Sequence, residues 1–341
     1  MIEKLSEIEE WRKLFQAISK VKDIAPWSWM NECNIFAVQN PETYELGFVS
    51  VMGSIGEHYA ISVYLGERGI YGFWDLHHSA PDISPQMLFE IPQLQASFED
   101  RNFLHSRDRD LIQQLGLKYR GRQSWPLFRS YRPGFFPWFL ESTEVRFLLY
   151  VLEQIVDVSL RFKKDRSLLR LDNENYFVRV PIQKEDKLIW QDSILKVSLK
   201  EPYLIKLSKN KFAIEALKKT VPSKVTLEVD LFMLTRPVQE KDGRPFYPYV
   251  LMMVDTHRGM IVGNQLLQPL PTLEAMWGNI PAKVAEILLE IQLLPEKILV
   301  SSDILYRMLL NLSDDLGFSL KQSDVLPNLD QAYASLLEYF E

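Results

Sequence analysis

The stretch Tyr249-Val-Leu-Met-Met-Val-Asp255-Thr-His-Arg-Gly259-Met-Ile-Val-Gly263 decides how the C-terminal half is built. An unbroken apolar run ends on a carboxylate, a short polar turn with a glycine follows, and an apolar run returns. That pattern predicts a strand, a tight turn and an antiparallel partner. A second strand-like run, Lys297-Ile-Leu-Val-Ser-Ser-Asp303, also ends on a carboxylate. Helical periodicity fills the gap between them, from about Thr272 to Leu293. Beyond Asp303 come a helix to about Leu316, a strand near Phe318–Val325 and a last helix from Pro327 to Phe340. Val225–Leu234 reads as one more strand ahead of the hairpin. A hairpin followed by alternating helices and strands predicts an α/β domain.

Toward the N-terminus the pattern changes. Leu5, Ile8, Trp11, Leu14, Phe15 and Ile18 recur at three- and four-residue steps and predict a helix over 3–22. Asn34–Val51 reads as two strands joined by Gln39-Asn-Pro-Glu-Thr-Tyr44, where proline presets one dihedral. A strand at Tyr59–Leu65, a short helix in Gly66–Ser79, a strand near Met87–Ile91 and a helix at Asp108–Leu115 follow. Pro126, Pro133 and Pro137 keep Gln123–Leu140 extended. Thr143–Phe162 is a long helix with Glu144 in its first turn and Arg161, Lys163 and Lys164 at its end, as the helix dipole favours. Strands near Tyr176–Pro181 and Ile189–Leu199 close this half. The prediction is an α+β domain with a mostly antiparallel sheet over 1–208, and a hairpin-led α/β domain over 209–341.

Composition narrows the function classes. The chain has 341 residues, 47% hydrophobic, and a formal net charge of −6, which argues against bulk electrostatic binding to nucleic acid or an anionic membrane. With one cysteine, Cys33, neither an intramolecular disulfide nor a cysteine zinc cage can form. No apolar run reaches the roughly 18 residues of a membrane span, and the acidic, amphipathic start does not resemble a signal peptide. The expected location is the cytoplasm, with no membrane partner.

Two residue sets could carry chemistry. In ribonuclease-H-like enzymes a strand aspartate, an acid ending a later parallel strand and an acid on a following helix hold two divalent metals. Asp255 and Asp303 are candidates for the first two positions and Asp330 for the third, with Asp324 and Glu338 behind it. Such a site would hold Mg²⁺ or Mn²⁺. The plainer reading makes Asp255 the first residue of a β-turn and Asp303 a helix cap. The second set lies in Leu111–Leu140, which contains no Asp or Glu. Arg120, Arg122, Arg129 and Arg132 alternate there with rings that include Trp125 and Trp138. Cations on phosphates and rings on bases are the logic of single-strand binding, so residues 118–138 would take nucleic acid or a phosphate ligand. The plainer reading is a half-buried strand with its rings in the core. Gly53-Ser-Ile-Gly56 lacks the Lys-Ser/Thr pair of a phosphate loop, and Asp75 with His77-His78 makes only a weak metal signal.

Several motifs resemble the N-terminal signature of an uncharacterised bacterial family: Pro26-Trp-Ser-Trp-Met30, Asn40-Pro-Glu-Thr43, Gly47-Phe-Val-Ser-Val-Met-Gly53 and Arg129-Ser-Tyr-Arg-Pro-Gly134. From about Val225 the chain is similar to a second domain of unknown function that is often joined to the first. The resemblance implies no activity. The leading expectation is a non-catalytic binding or regulatory protein acting through residues 118–138. The alternatives are a metal-dependent nuclease or phosphoryl-transfer enzyme of ribonuclease-H-like type, and a protein-interaction scaffold.

Overall fold

The computed structural model describes residues 2–78, 89–171, 174–185, 187–197, 205–241 and 243–340. They form two compact units, Met1–Arg132 with Pro137–Pro202, and Tyr203–Glu341 with the short segment Pro133–Phe136. Among the described residues no helix is long and apolar enough to cross a membrane.

The first unit runs α1 (Ile2–Ile24), β1 (Phe36–Gln39), β2 (Leu46–Met52), β3 (Ala60–Leu65), α2 (Gly66–His78), β4 (Gln93–Glu99), α3 (Ser106–Gln114), β5 (Trp125–Tyr131), α4 (Ser142–Lys164), β6 (Asn175–Lys184) and β7 (Lys187–Lys196). The strands make one sheet in the order β5-β4-β3-β2-β1-β6-β7. All neighbours are antiparallel except β1 and β6, which are parallel. The long α4 supplies the crossover that a parallel neighbour requires. On one face Val49, Val51, Ile61, Val63, Leu94 and Ala96 share a core with Leu14 and Ile18 of α1 and with Leu148, Val151 and Ile155 of α4. On the other face α2 sets Ile70 and Phe73 against Phe48, Tyr176 and Val178.

The strand expected near Met87–Ile91 begins later, at Gln93. Residues 87 and 88 lie outside the described residues, and Ile91 is a bend leading into β4. The displacement has a plain cause. Gln93, Gln95 and Ser97 alternate with Leu94, Ala96 and Phe98, and the polar set is largely buried rather than solvated. A search for apolar runs passes over such a strand.

The second unit contains α5 (Lys211–Leu217), β8 (Thr226–Met233), β9 (Tyr249–Asp255), β10 (Met260–Leu267), α6 (Leu273–Glu290), β11 (Lys297–Val300), α7 (Asp303–Leu316), β12 (Ser319–Gln322) and α8 (Pro327–Phe340). The order is β10-β9-β8-β11-β12. The first three strands form an antiparallel meander, and β11 and β12 run parallel to β8. Every residue of β9 is buried, which explains its unbroken apolar sequence. Gly263 lets α6 lie close to β10, because a Cβ there would stand 2.2 Å from Ile287 Cγ2. Within this unit Pro133–Phe136 adds two backbone bonds: Phe136 N–H donates to Pro245 O and Tyr247 N–H to Gly134 O, each at 2.9 Å.

The face of β8 that meets α8 carries Glu228, Asp230 and Phe232. Glu228 is 2% exposed. Its carboxylate accepts Asn328 Nδ2–H at 3.0 Å and Leu329 N–H at 2.8 Å, so a strand side chain caps the first turn of α8. Phe232 stacks on Tyr333 with centroids 4.0 Å apart. Leu326 and Leu329 close the contact against Val250, Met252 and Val254. Glu228→Ala strands two buried donors and is expected to lower the unfolding free energy by about 3 kcal/mol in urea titration, whereas Glu228→Gln, which keeps an acceptor, costs less than half as much.

Candidate functional site

The first unit holds an open cavity of about 300 Å³ between α1, α3 and β5. That volume is at the lower end of the range that small-molecule sites occupy. Its floor is aromatic. Trp11 and Phe15 come from one face of α1, and Phe128 comes from β5. Phe15 meets Phe128 edge to face at 5.1 Å, and Trp11 lies 5.9 Å from the same ring. Leu111 of α3 and Phe139 supply the side walls. Pro126 can sit in β5 because this is an edge strand with β4 as its neighbour.

The polar rim belongs to the start of α3. His105 caps the helix by accepting Arg107 N–H on Nδ1 at 3.2 Å, while its own N–H donates to Asp108 Oδ2 at 2.9 Å. Asp108 also receives a bidentate pair from Arg129, Nη1 to Oδ1 at 2.9 Å and Nη2 to Oδ2 at 2.7 Å. The two side chains are 13–14% exposed. Arg129 further donates to Phe128 O at 2.7 Å, which fixes it along the strand. The guanidinium groups of Arg107 and Arg129 lie 4.4 and 4.9 Å from the centroid of the Phe139 ring. The result is a ring-lined hollow with a clamped ion pair on one side and an exposed arginine at its mouth.

The residues singled out in the basic, aromatic segment scatter over this neighbourhood. Arg129 reaches the cavity wall. Arg132 turns to α4 and pairs with Glu141 at 2.7 Å and Glu144 at 3.0 Å. Arg122 is exposed and stands 3.8 Å from Asp100, and Arg120 is exposed as well. Trp125 packs against Tyr119, and Trp138 against Phe139. The neutralising acids, Asp108, Glu141 and Glu144, sit just outside the acid-free window of Leu111–Leu140. Glu10 of the acidic start of α1 takes a different partner, Arg146 at 3.6 Å.

The carboxylates of the second unit have local duties. Asp255 is 4% exposed and accepts His257 N–H at 2.8 Å and Arg258 N–H at 3.2 Å, organising its own turn. Asp303 opens α7 and pairs with Arg307 at 3.0 Å, while Ser302 is the cap. The sequence reading missed the acid in the middle of β8. Asp230 accepts hydrogen bonds from Ser301, just past β11, and from Leu231 N–H at 2.8 Å. Burial raises its pKa above the ordinary carboxylate range, the Ser301 bond opposes that, and Asp330 of α8 pushes it further up. An acid inside Val225-Thr-Leu-Glu-Val-Asp-Leu-Phe was the available signal. Among the described residues no group of three or more His, Cys, Asp or Glu is arranged to hold a metal. His77 instead meets Cys33, Nε2 to Sγ at 3.2 Å.

Residues 11–179 match the model of a domain of unknown function, DUF7309, and residues 213–337 match that of another, DUF6930. The chain is a tandem of these two domains. No curated protein matches it. The cavity therefore lies in the DUF7309 domain, and the β8 carboxylates lie in the DUF6930 domain.

Arg129→Met leaves Asp108 with a charge and no guanidinium, and is expected to cost about 3 kcal/mol in chemical denaturation, with Arg129→Met/Asp108→Leu costing markedly less than the sum of its parts. Asp230 has a raised folded pKa, so its ionisation opposes folding once the pH exceeds the unfolded carboxyl value. Asp230→Asn is therefore expected to raise the urea midpoint at pH 7, and the gain should vanish as the pH falls through the carboxylate range.

Proposed function

We propose that the protein is a non-catalytic binding protein whose DUF7309 domain takes a small ligand in the cavity between α1, α3 and β5. The observation that carries this reading is the cavity itself: rings on the floor, and polar groups on one rim. Small-ligand sites combine these same parts, an apolar bed for affinity and a few fixed polar groups for orientation. The Arg129–Asp108 pair supports the reading because it holds the rim of α3 against the edge strand. We assign no nucleic acid to residues 118–138, since Arg129 and Arg132 already hold carboxylates. A reducing compartment, the cytoplasm, suits the single free cysteine. We also take the division into an N-terminal and a C-terminal domain near residue 208 as the folding boundary.

A second reading has one observation in its favour. The strand order of the DUF6930 domain, a meander followed by two parallel strands with α6, α7 and α8 interleaved, agrees with a ribonuclease-H-like order. In that arrangement β8, rather than β9, is the first strand, so Asp230 takes the place that the sequence reading gave to Asp255. The donors do not fit a pair of divalent metals. Ser301 offers a hydroxyl where a second carboxylate is needed, Asp303 is held by Arg307, and burial disfavours the ionised form of Asp230. We therefore read the DUF6930 domain as a degenerate relative in which Glu228 caps α8 and Asp230 ties β8 to the end of β11.

Titration of the full chain with indole tests the binding reading. Saturable perturbation of Trp11 and Phe139 resonances is expected, and Leu111→Trp, which fills the cavity with a bulkier apolar side chain, should abolish it while the fold is retained. A linear, unsaturable response in the parent protein would contradict the reading.

A further inference from the structure

We propose that the cavity of the DUF7309 domain accepts a flat aromatic monoanion, ring inward and charged group against Arg107; this rests on the binding reading above and names its chemical class. The walls argue for the ring. Trp11, Phe15 and Phe128 present aromatic surface, and Leu111 faces them across the hollow. A flat ring buries its faces there without stranding a polar group.

The charges at the mouth argue for the anion. Asp108 adds no open negative charge, because Arg129 chelates it and the His105 N–H takes a further lone pair. Arg107 is different. It is exposed, its guanidinium stacks on Phe139 at 4.4 Å, and among the described residues no carboxylate pairs with it. A stacked guanidinium keeps its N–H donors in its own plane, so they remain free for an oxyanion. Arg107 also belongs to the first turn of the nine-residue α3, whose positive dipole end adds to the field. At the mouth a cation is the poorer guest, because two guanidinium groups already lie over the Phe139 ring and would repel it. Asp110, exposed on the same rim, repels any anion that approaches its side, which confines the guest to a single negative charge placed against Arg107.

The test uses three probes that share one ring: indole-3-acetate, 3-methylindole and tryptamine, titrated into the two-domain chain by calorimetry at low salt. Indole-3-acetate is expected to bind at least about tenfold more tightly than tryptamine, the size of one charge-assisted contact. Arg107→Gln should erase that gap, and Arg107→Lys should retain part of it. Arg107 is exposed, so circular dichroism is expected to show all variants folded. Equal or tighter binding of tryptamine, or a preference that survives Arg107→Gln, overturns the anion assignment. If 3-methylindole binds in those cases, the binding reading stands without it. Failure of all three probes to bind overturns both.

Discussion

The bidentate contact between Arg129 and Asp108 is the constraint on which the arrangement around the cavity depends. It joins an edge strand to the first turn of a short helix, and Asp108 at the same time completes the cap of that helix. Three roles meet in one carboxylate: ion-pair partner, capping acceptor and cavity wall. Exposed ion pairs contribute little because water competes for both groups. This one is largely shielded and has fixed geometry, which makes the loss of one partner costly. The ring of Phe139 lies against the Arg129 guanidinium, so the apolar bed and the polar rim support each other.

The DUF6930 domain applies similar chemistry to a different end. Glu228 is buried on the central strand and caps α8, and Asp230 stands two residues further along the same face. One carboxylate is satisfied by two N–H donors. The other is held by a hydroxyl and a backbone N–H, with Asp330 nearby to resist its ionisation. An acid on the first strand can thus serve helix docking, and its neighbour can tie two strands together. Topology alone does not separate that role from catalysis.

Much of the fold was legible from periodicity. The apolar run at Tyr249–Val254 marks a fully buried strand, the two long helices of the first unit show their amphipathic spacing, and the prolines of Gln123–Leu140 keep that segment extended. Strand β4 was not legible, because its buried face carries Gln93, Gln95 and Ser97, and pattern reading equates burial with apolarity. The site was legible only in its ingredients. The arginines and rings of residues 118–138 stood out, yet their counter-ions are contributed by Asp108 and Glu144, from helices on either side of the strand. Charge pairing across a fold is a tertiary fact, and a window count along the chain cannot see it. The same holds for Asp230, whose partner Ser301 is 71 residues away.

The cavity works as a binding site in the folded two-domain chain. Hydrogen exchange measured with and without saturating indole-3-acetate addresses this directly. Slowed exchange confined to α1, α3 and β5, with the strands of the DUF6930 domain unchanged, is the predicted result. Protection spread across both domains, or no protection at Ser106–Gln114, would contradict it.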